Sequence, residues 1–253
     1  MGRLENKVAL VTGASAGMGN DIAKLFAKEG ASVVVIARRK ERLADLVAQI
    51  EADGGKAIAV AGDVTNEADV QLAVKTAVEK FGKLDIVVNN AGLMDKMKPV
   101  DELDDDLWNA VLNVNLTGPM RFFRAATPVM KKNGGGVFVT ISSLAGLNGA
   151  RAGAAYTASK HGVLGLAKNV AFIYADKNIR SNVIAPGGVN TEIGEDMTGW
   201  SEVGRARCMM GMGTMPRMGE AVEIAQLALF LASDEASLIN GAVVTADAGW
   251  GCY

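Results

Sequence analysis

The chain has 253 residues, enough for one large α/β domain with a well-buried core. Hydrophobic residues make up 49% and charged residues 21%, which excludes a disordered chain. Net charge is −2 with both signs interspersed, so neither a nucleic-acid-binding stripe nor a basic membrane-surface helix is expected.

Short apolar runs alternate with helical patterns along the chain. Val8 to Thr12 reads as a first strand. Gly19 to Glu29 has helical spacing (Ile22, Leu25, Phe26) and stops at Gly30, a C-cap signal. Ser32 to Ala37 is a second strand, Arg39 to Glu51 an amphipathic helix closed by Asp53-Gly54-Gly55, and Ala57 to Ala61 a third strand. A helix from Glu67 to Phe81 ends at Gly82, and Leu84 to Asn89 is a fourth strand. One long helix is expected from Asp104 to Lys131, with Pro119 as a kink and Asp104, Asp105 and Asp106 complementing its N-terminal dipole. Val137 to Ser142 is a strand, Ala154 to Lys177 a helix, and Ile179 to Ala185 a sixth strand. Residues 186–219 read as irregular, Ala221 to Ala232 as a helix and Ala242 to Ala246 as a last strand. Continuously apolar strands separated by helices predict a doubly wound, Rossmann-type parallel sheet of about seven strands, covered on both faces. No linker interrupts the rhythm, so residues 1–253 read as a single domain.

The first strand runs into Thr12-Gly13-Ala14-Ser15-Ala16-Gly17-Met18-Gly19, where a helix begins. Glycines let the backbone approach a pyrophosphate, and the helix N-terminus offers free N–H groups. This places a dinucleotide on Gly13, Ser15, Gly17, Met18 and Gly19. A site selective for NAD usually carries a carboxylate after the second strand. Here the stretch is Ala37-Arg38-Arg39-Lys40, and a guanidinium fork suits a phosphate. NADP(H) is therefore favoured, held by Arg38 and Arg39, with NAD(H) possible.

Tyr156 and Lys160 stand four residues apart, on one helical face. An ammonium beside a phenol eases its ionisation and makes it a usable acid or base. Ser143, thirteen residues upstream, offers an oxyanion partner, with Ser142 its rival. His161 is the only histidine and has no metal-ligating cluster around it in sequence, so no metal site is expected and a structural or interfacial role is. No apolar run approaches the roughly eighteen residues of a membrane span, and the polar start has no signal-peptide pattern. Cys208 and Cys252 form no motif, which suggests free thiols in the cytoplasm.

These stretches together resemble the short-chain dehydrogenase/reductase family over essentially the whole chain. Thr12-Gly13-x-x-x-Gly17-x-Gly19, Asp63-Val64, Asn89-Asn90-Ala91-Gly92, Asn113-Val114-Asn115, Ser142-Ser143, Tyr156-x-x-x-Lys160, and Pro186-Gly187 with Thr191 follow in order. The resemblance implies roles. Asp63 would accept from the adenine amino group and Val64 would pack on the ring. Asn90, Ala91 and Gly92 would line the cofactor. Lys160 would bridge the nicotinamide ribose hydroxyls and lower the Tyr156 pKa. Tyr156 would exchange a proton with the carbonyl oxygen, Ser143 would stabilise that oxygen, and Asn115 would hold a proton-relaying water. Pro186, Gly187, Val189 and Thr191 would meet the nicotinamide end.

The implied activity is interconversion of a secondary alcohol and a ketone. Residues 190–219 contain Met197, Trp200, Met209, Met210, Met212, Met215 and Met218. Thioethers adapt to irregular apolar shapes, so this segment is either a lid over a bulky substrate such as a hydroxysteroid or a packing loop. Two alternatives stand beside this reading. One is a 3-oxoacyl-(acyl carrier protein) reductase, disfavoured because Asn133-Gly134 and Phe172-Ile173 stand where such reductases carry basic or charged residues. The other is a nucleotide-binding regulator without turnover. The catalytic helix carries extra apolar surface and commonly forms a subunit interface in the short-chain dehydrogenase/reductase family, so the resemblance implies a homotetramer, with a dimer second.

Overall fold

The computed structural model describes residues 2–194 and 198–252. Seven parallel strands form one sheet: β1 (Val8–Thr12), β2 (Ser32–Ala37), β3 (Lys56–Ala61), β4 (Ile86–Asn89), β5 (Gly136–Ile141), β6 (Ile179–Pro186) and β9 (Val243–Ala246). Their order is β3-β2-β1-β4-β5-β6-β9, with Val8 beside Ser32 and Ala9 beside Ile86. Two apolar layers sandwich the sheet. Ala9, Val11, Val33 and Val35 face one side, against Ile22 and Phe26 of α1 (Gly17–Lys28) and Ile224 and Leu229 of α8 (Ala221–Ala232). Leu10, Val34 and Ile36 face the other, against α3 (Glu67–Phe81), α5 (Gly118–Lys132) and α6 (Ala154–Ile173). Strands buried on both faces need no polar alternation, which is why they are apolar throughout. Helix α2 (Lys40–Ala52) closes the edge beside β3 through Leu43, Leu46 and Ile50.

Three expected elements differ. The single helix over residues 104–131 is broken into α4 (Asp105–Leu112), a π turn at Asn113–Thr117, and α5. Pro119 follows the π turn directly, within a stretch whose backbone stays helical from α4 into α5. Asp104 does cap α4, its carboxylate accepting from the Leu107 N–H at 2.7 Å. The helix carrying Tyr156 ends at Ile173, and a separate 3₁₀ turn covers Ala175–Lys177. Residues 186–219 are more ordered than expected: β7 (Val189–Asn190) pairs with β8 (Gly219–Glu220), and α7 (Glu202–Met209) lies between them in sequence. Met197 falls outside the described residues. No described helix is long and apolar enough to cross a membrane.

Candidate active site

The strand order reverses between β1 and β4, and a cleft opens at the carboxyl ends of the strands there. Gly13 turns the chain out of β1 at φ +66°, and a Cβ on it would lie 2.8 Å from the Ala91 Cα. Glycine is thus required both for the turn and for the approach of the two loops. The Asn90 side chain fastens them, donating to the Thr12 carbonyl at 2.9 Å. A groove of about 370 Å³ follows, lined by Gly13, Ser15, Gly17, Met18, Arg38, Arg39, Asp63, Val64, Asn90, Ala91, Gly92 and Thr191. The N-terminus of α1 opens onto it with no side chain capping Ala16, so its leading N–H groups are available to an anion. A dinucleotide fits this donor set. One Asp63 carboxylate oxygen holds the Thr65 N–H and hydroxyl, both at 2.8 Å, and the other carries no such bond.

Not every expected contact lies on the groove wall. Gly19 is buried beneath the loop, where a Cβ would collide with the Asn90 amide, so its role is to seat α1. Pro186, Gly187 and Val189 lie beyond the groove, at the end of β6 and in β7. Sequence reasoning missed Ala16, Leu93, Val114, Glu192 and Ile193 on the wall. It also missed Arg42, whose guanidinium meets Glu192 at 2.6 Å beside the Arg39–Glu192 pair at 2.9 Å.

The residues expected to transfer the proton gather at the end of β5 and the start of α6. Tyr156 and Lys160 are both buried, 8% and 3% exposed. Ser143 faces the Tyr156 phenol, and its hydroxyl acts to favour the ionised form. Ser142, the rival serine, is engaged elsewhere: its hydroxyl donates to the Lys160 carbonyl at 3.1 Å and pins α6 to β5. The Lys160 ammonium donates to the Ile141 carbonyl at 3.0 Å and lies 5.4 Å from the Tyr156 ring centre. The expected depression of the tyrosine pKa is not what this arrangement gives. Burial pushes the phenol up to about 12, against the opposing Ser143 hydroxyl, and the Asp95 charge pushes the same way as burial. Burial likewise lowers Lys160 to about 8.

Asn115 lies in the π turn, 1% exposed. Its amide donates to the Leu93 carbonyl at 2.9 Å and the Ser159 hydroxyl at 3.0 Å, and accepts from the Leu93 N–H at 2.8 Å. It clamps the loop after β4 to the catalytic helix. Asp95 in that loop was not foreseen. Fully buried, its carboxylate accepts from the Tyr156 N–H at 2.8 Å, the Met97 N–H at 3.1 Å and the Gly153 N–H at 3.2 Å. It thereby caps α6 from a distant loop. Lys96 and Met97 take positive φ beside it, and the Lys96 carbonyl accepts from Ser201, the N-cap of α7. Arg151 stacks 3.9 Å over Trp250, whose indole donates to the Gly211 carbonyl at 2.9 Å, holding the methionine-rich segment to the C-terminus. His161 is exposed on the far side of α6, with Nδ1 3.0 Å from the Thr157 carbonyl.

A family model described as short chain dehydrogenase matches residues 7–202. The chain belongs to the short-chain dehydrogenase family. This short-chain dehydrogenase is an alcohol and ketone oxidoreductase that uses a nicotinamide dinucleotide. It is 44% identical over 251 residues to a 3beta-hydroxysteroid dehydrogenase 2 of Eggerthella lenta, covering 99% of this chain and 96% of that one. A 3beta-hydroxysteroid dehydrogenase of Mediterraneibacter gnavus is 38% identical over 275 residues, covering 100% of this chain and 98% of the relative. Among solved structures, levodione reductase superposes with a TM-score of 0.90 at 32% identity, over 98% of this chain and 99% of its own.

Proposed function

We propose that the enzyme is a hydroxysteroid dehydrogenase, or acts on a ketone of similar bulk and apolarity, with NADP(H) as its preferred cofactor. The observation that carries the catalytic assignment is the joint burial of Tyr156 and Lys160, one turn apart on α6, with the Lys160 ammonium 5.4 Å from the Tyr156 ring centre. When bound, the nicotinamide supplies a hydride to the carbonyl carbon or accepts one from the carbinol carbon. The chain's own residues handle the proton. Tyr156, neutral because burial disfavours its phenolate, donates a proton to the carbonyl oxygen as negative charge grows there. Ser143 donates a second hydrogen bond to that oxygen. In the oxidative direction the same phenol must first ionise, and a cation closer than Lys160 now lies would be needed to bring it into range. Lys160 is the cation nearest the phenol on α6, and a shift of its ammonium from the Ile141 carbonyl towards the phenol would supply it. Asn115 has committed both amide hydrogens and retains one acceptor lone pair for a relay water.

The substrate class rests on surroundings and on relatives. Tyr156 packs in an apolar cluster with Val111, Ala145, Ala152 and Ala155, edged by Leu93 and Met94. Both hydroxysteroid dehydrogenases above share nearly their full length with this chain, which favours a substrate of that class. Phe172, 82% exposed on α6, offers no charge to an acidic carrier protein. That helix, with exposed Ile173, is the face we assign to a homotetramer contact. The free thiols Cys208 and Cys252 suit the cytoplasm, and both should react with a maleimide without prior reduction.

The test is steady-state kinetics on 3-hydroxysteroids, 3-ketosteroids, simple ketones and a carrier-bound 3-oxoacyl substrate, with NADPH and NADH. The steroid pair should give the highest kcat/KM, and NADPH the higher value of the two cofactors. Tyr156→Phe should lower kcat by roughly 10²- to 10⁴-fold while dinucleotide affinity is kept. Retained turnover in that variant would sink the proton-transfer assignment.

A further inference from the structure

We propose that Glu192 sets how strongly the enzyme discriminates between the 2′-phosphorylated and the unphosphorylated dinucleotide, by acting as an internal competitor for the arginines that would hold the 2′-phosphate. The inference rests on the reading that the groove binds a nicotinamide dinucleotide with its adenosine ribose at the end of β2. Arg38 and Arg39 follow that strand directly, and both line the groove. Among the described residues Arg38 makes no side-chain hydrogen bond or ion pair, whereas Arg39 and Arg42 both do. The Arg39 guanidinium spans two acceptors: Nε and Nη2 reach the Ser15 hydroxyl at 3.1 and 3.0 Å, and Nη1 reaches the Glu192 carboxylate at 2.9 Å. Arg42, one helical turn into α2, donates to both oxygens of the same carboxylate at 2.6 Å.

Glu192 belongs to a different part of the molecule. It sits one residue past Thr191, in a 3₁₀ turn (Glu192–Gly194) where the chain leaves β7 for the lid, some 150 residues from Arg42. Its carboxylate therefore bridges the groove from the lid to the adenosine side. The two arginines hold it below the usual carboxylate range, Arg42 foremost, so it is an anion at any pH where the enzyme works. An anion already chelated by two guanidiniums occupies the chemistry a 2′-phosphate requires.

The consequence is selective. A dinucleotide with a 2′-phosphate can meet Arg38 directly, but to engage Arg39 or Arg42 as well it must take them from Glu192 and sit beside its carboxylate. A dinucleotide with bare ribose hydroxyls leaves the bridge intact. Glu192 thus weakens binding of NADP(H) and leaves NAD(H) untouched. All three side chains are 42–47% exposed, so the competition is modest and screened by salt.

The experiment measures the dissociation constants of NADP⁺ and NAD⁺ for the full-length enzyme and for Glu192→Gln, by calorimetry at low salt and at 0.5 M salt, a concentration at which the Debye length falls to roughly 4 Å. Glu192→Gln should bind NADP⁺ about three- to tenfold more tightly at low salt, with NAD⁺ within about twofold of wild type, and high salt should erase most of the gain. Arg42→Ala should weaken NADP⁺ in the Glu192→Gln background. Unchanged NADP⁺ affinity would overturn the proposal. So would a matching loss of NAD⁺ affinity, which would make Glu192 a ribose-hydroxyl acceptor instead. If neither dinucleotide bound wild type or variant, the groove reading itself would fail. If both bound with an unchanged ratio, only the role of Glu192 would fail.

Discussion

Replacing Lys160 by methionine should make the cofactor-free enzyme more stable while it destroys turnover. Burial holds the Lys160 ammonium at about 8, against 10.5 for a free lysine. Each tenfold of proton affinity is about 1.4 kcal/mol, so keeping this cation charged at neutral pH costs the fold about 3 kcal/mol. Methionine fills a similar volume without the charge, but it leaves the Ile141 carbonyl without the ammonium that meets it at 3.0 Å, a loss of about 1–2 kcal/mol. The net gain is on the order of 1–2 kcal/mol at pH 7, or roughly 2–8 °C in Tm for a chain of this size. The pH dependence has a fixed sign. Between the folded value near 8 and the unfolded value of 10.5, the unfolded chain binds more protons, so wild-type stability rises with pH through that window. Lys160→Met lacks this rise, so its advantage should vanish above pH 8 and wild type should be the more stable of the two by pH 10. Urea unfolding without dinucleotide at pH 7, 8, 9 and 10 reads the difference directly. A variant less stable than wild type at pH 7, or one with the same slope above pH 8, would refute the reasoning.

Two further perturbations follow from the same geometry. Asp95→Asn keeps an acceptor for the Met97 and Gly153 N–H groups but turns an amide NH₂ towards the Tyr156 N–H, orphaning one buried donor. It should lose about 1–3 kcal/mol in urea unfolding and lower kcat through a loosened Tyr156. Because burial raises the Asp95 pKa, its ionised form opposes folding, so the wild-type contribution improves as pH falls towards the carboxylate range and the variant lacks that trend. Phe172→Glu places a charge on the exposed apolar end of α6 and, under the proposed tetramer contact there, should shift the enzyme towards smaller species in analytical ultracentrifugation, with catalysis per protomer kept.

The fold was legible because its signals are local. Each strand is an apolar run with a glycine or polar break at its end, and the burial of Val8–Thr12 and Ser32–Ala37 on both faces repeats that pattern. The Tyr156–Lys160 pair and the glycine loop were legible for the same reason: four and six residues of spacing contain the geometry. The break at Asn113–Thr117 was not. Nothing in Asn113-Val114-Asn115-Leu116-Thr117 stops a helix, and the π turn arises where Leu116 meets Gly162 and Asn115 reaches Leu93 and Ser159. Those contacts lie in other elements and leave no mark on the local sequence.

The same distinction separates the residues that do chemistry from those that position them. Asp95 holds Tyr156 from 61 residues away, and Glu192 meets Arg39 from 153 residues away. Each looks like an ordinary surface acid in the chain, and only the fold gives it a partner. The tyrosine pKa makes the point quantitatively. Spacing alone puts an ammonium beside the phenol and predicts a lowered value, whereas the folded surroundings withdraw water, aim the ammonium at the Ile141 carbonyl and leave the phenol near 12. A helix fixes which side chains share a face, but the packing around that face decides which charges they feel. The same surroundings that favour a protonated Tyr156 make the position of the Lys160 ammonium decisive for its ionisation.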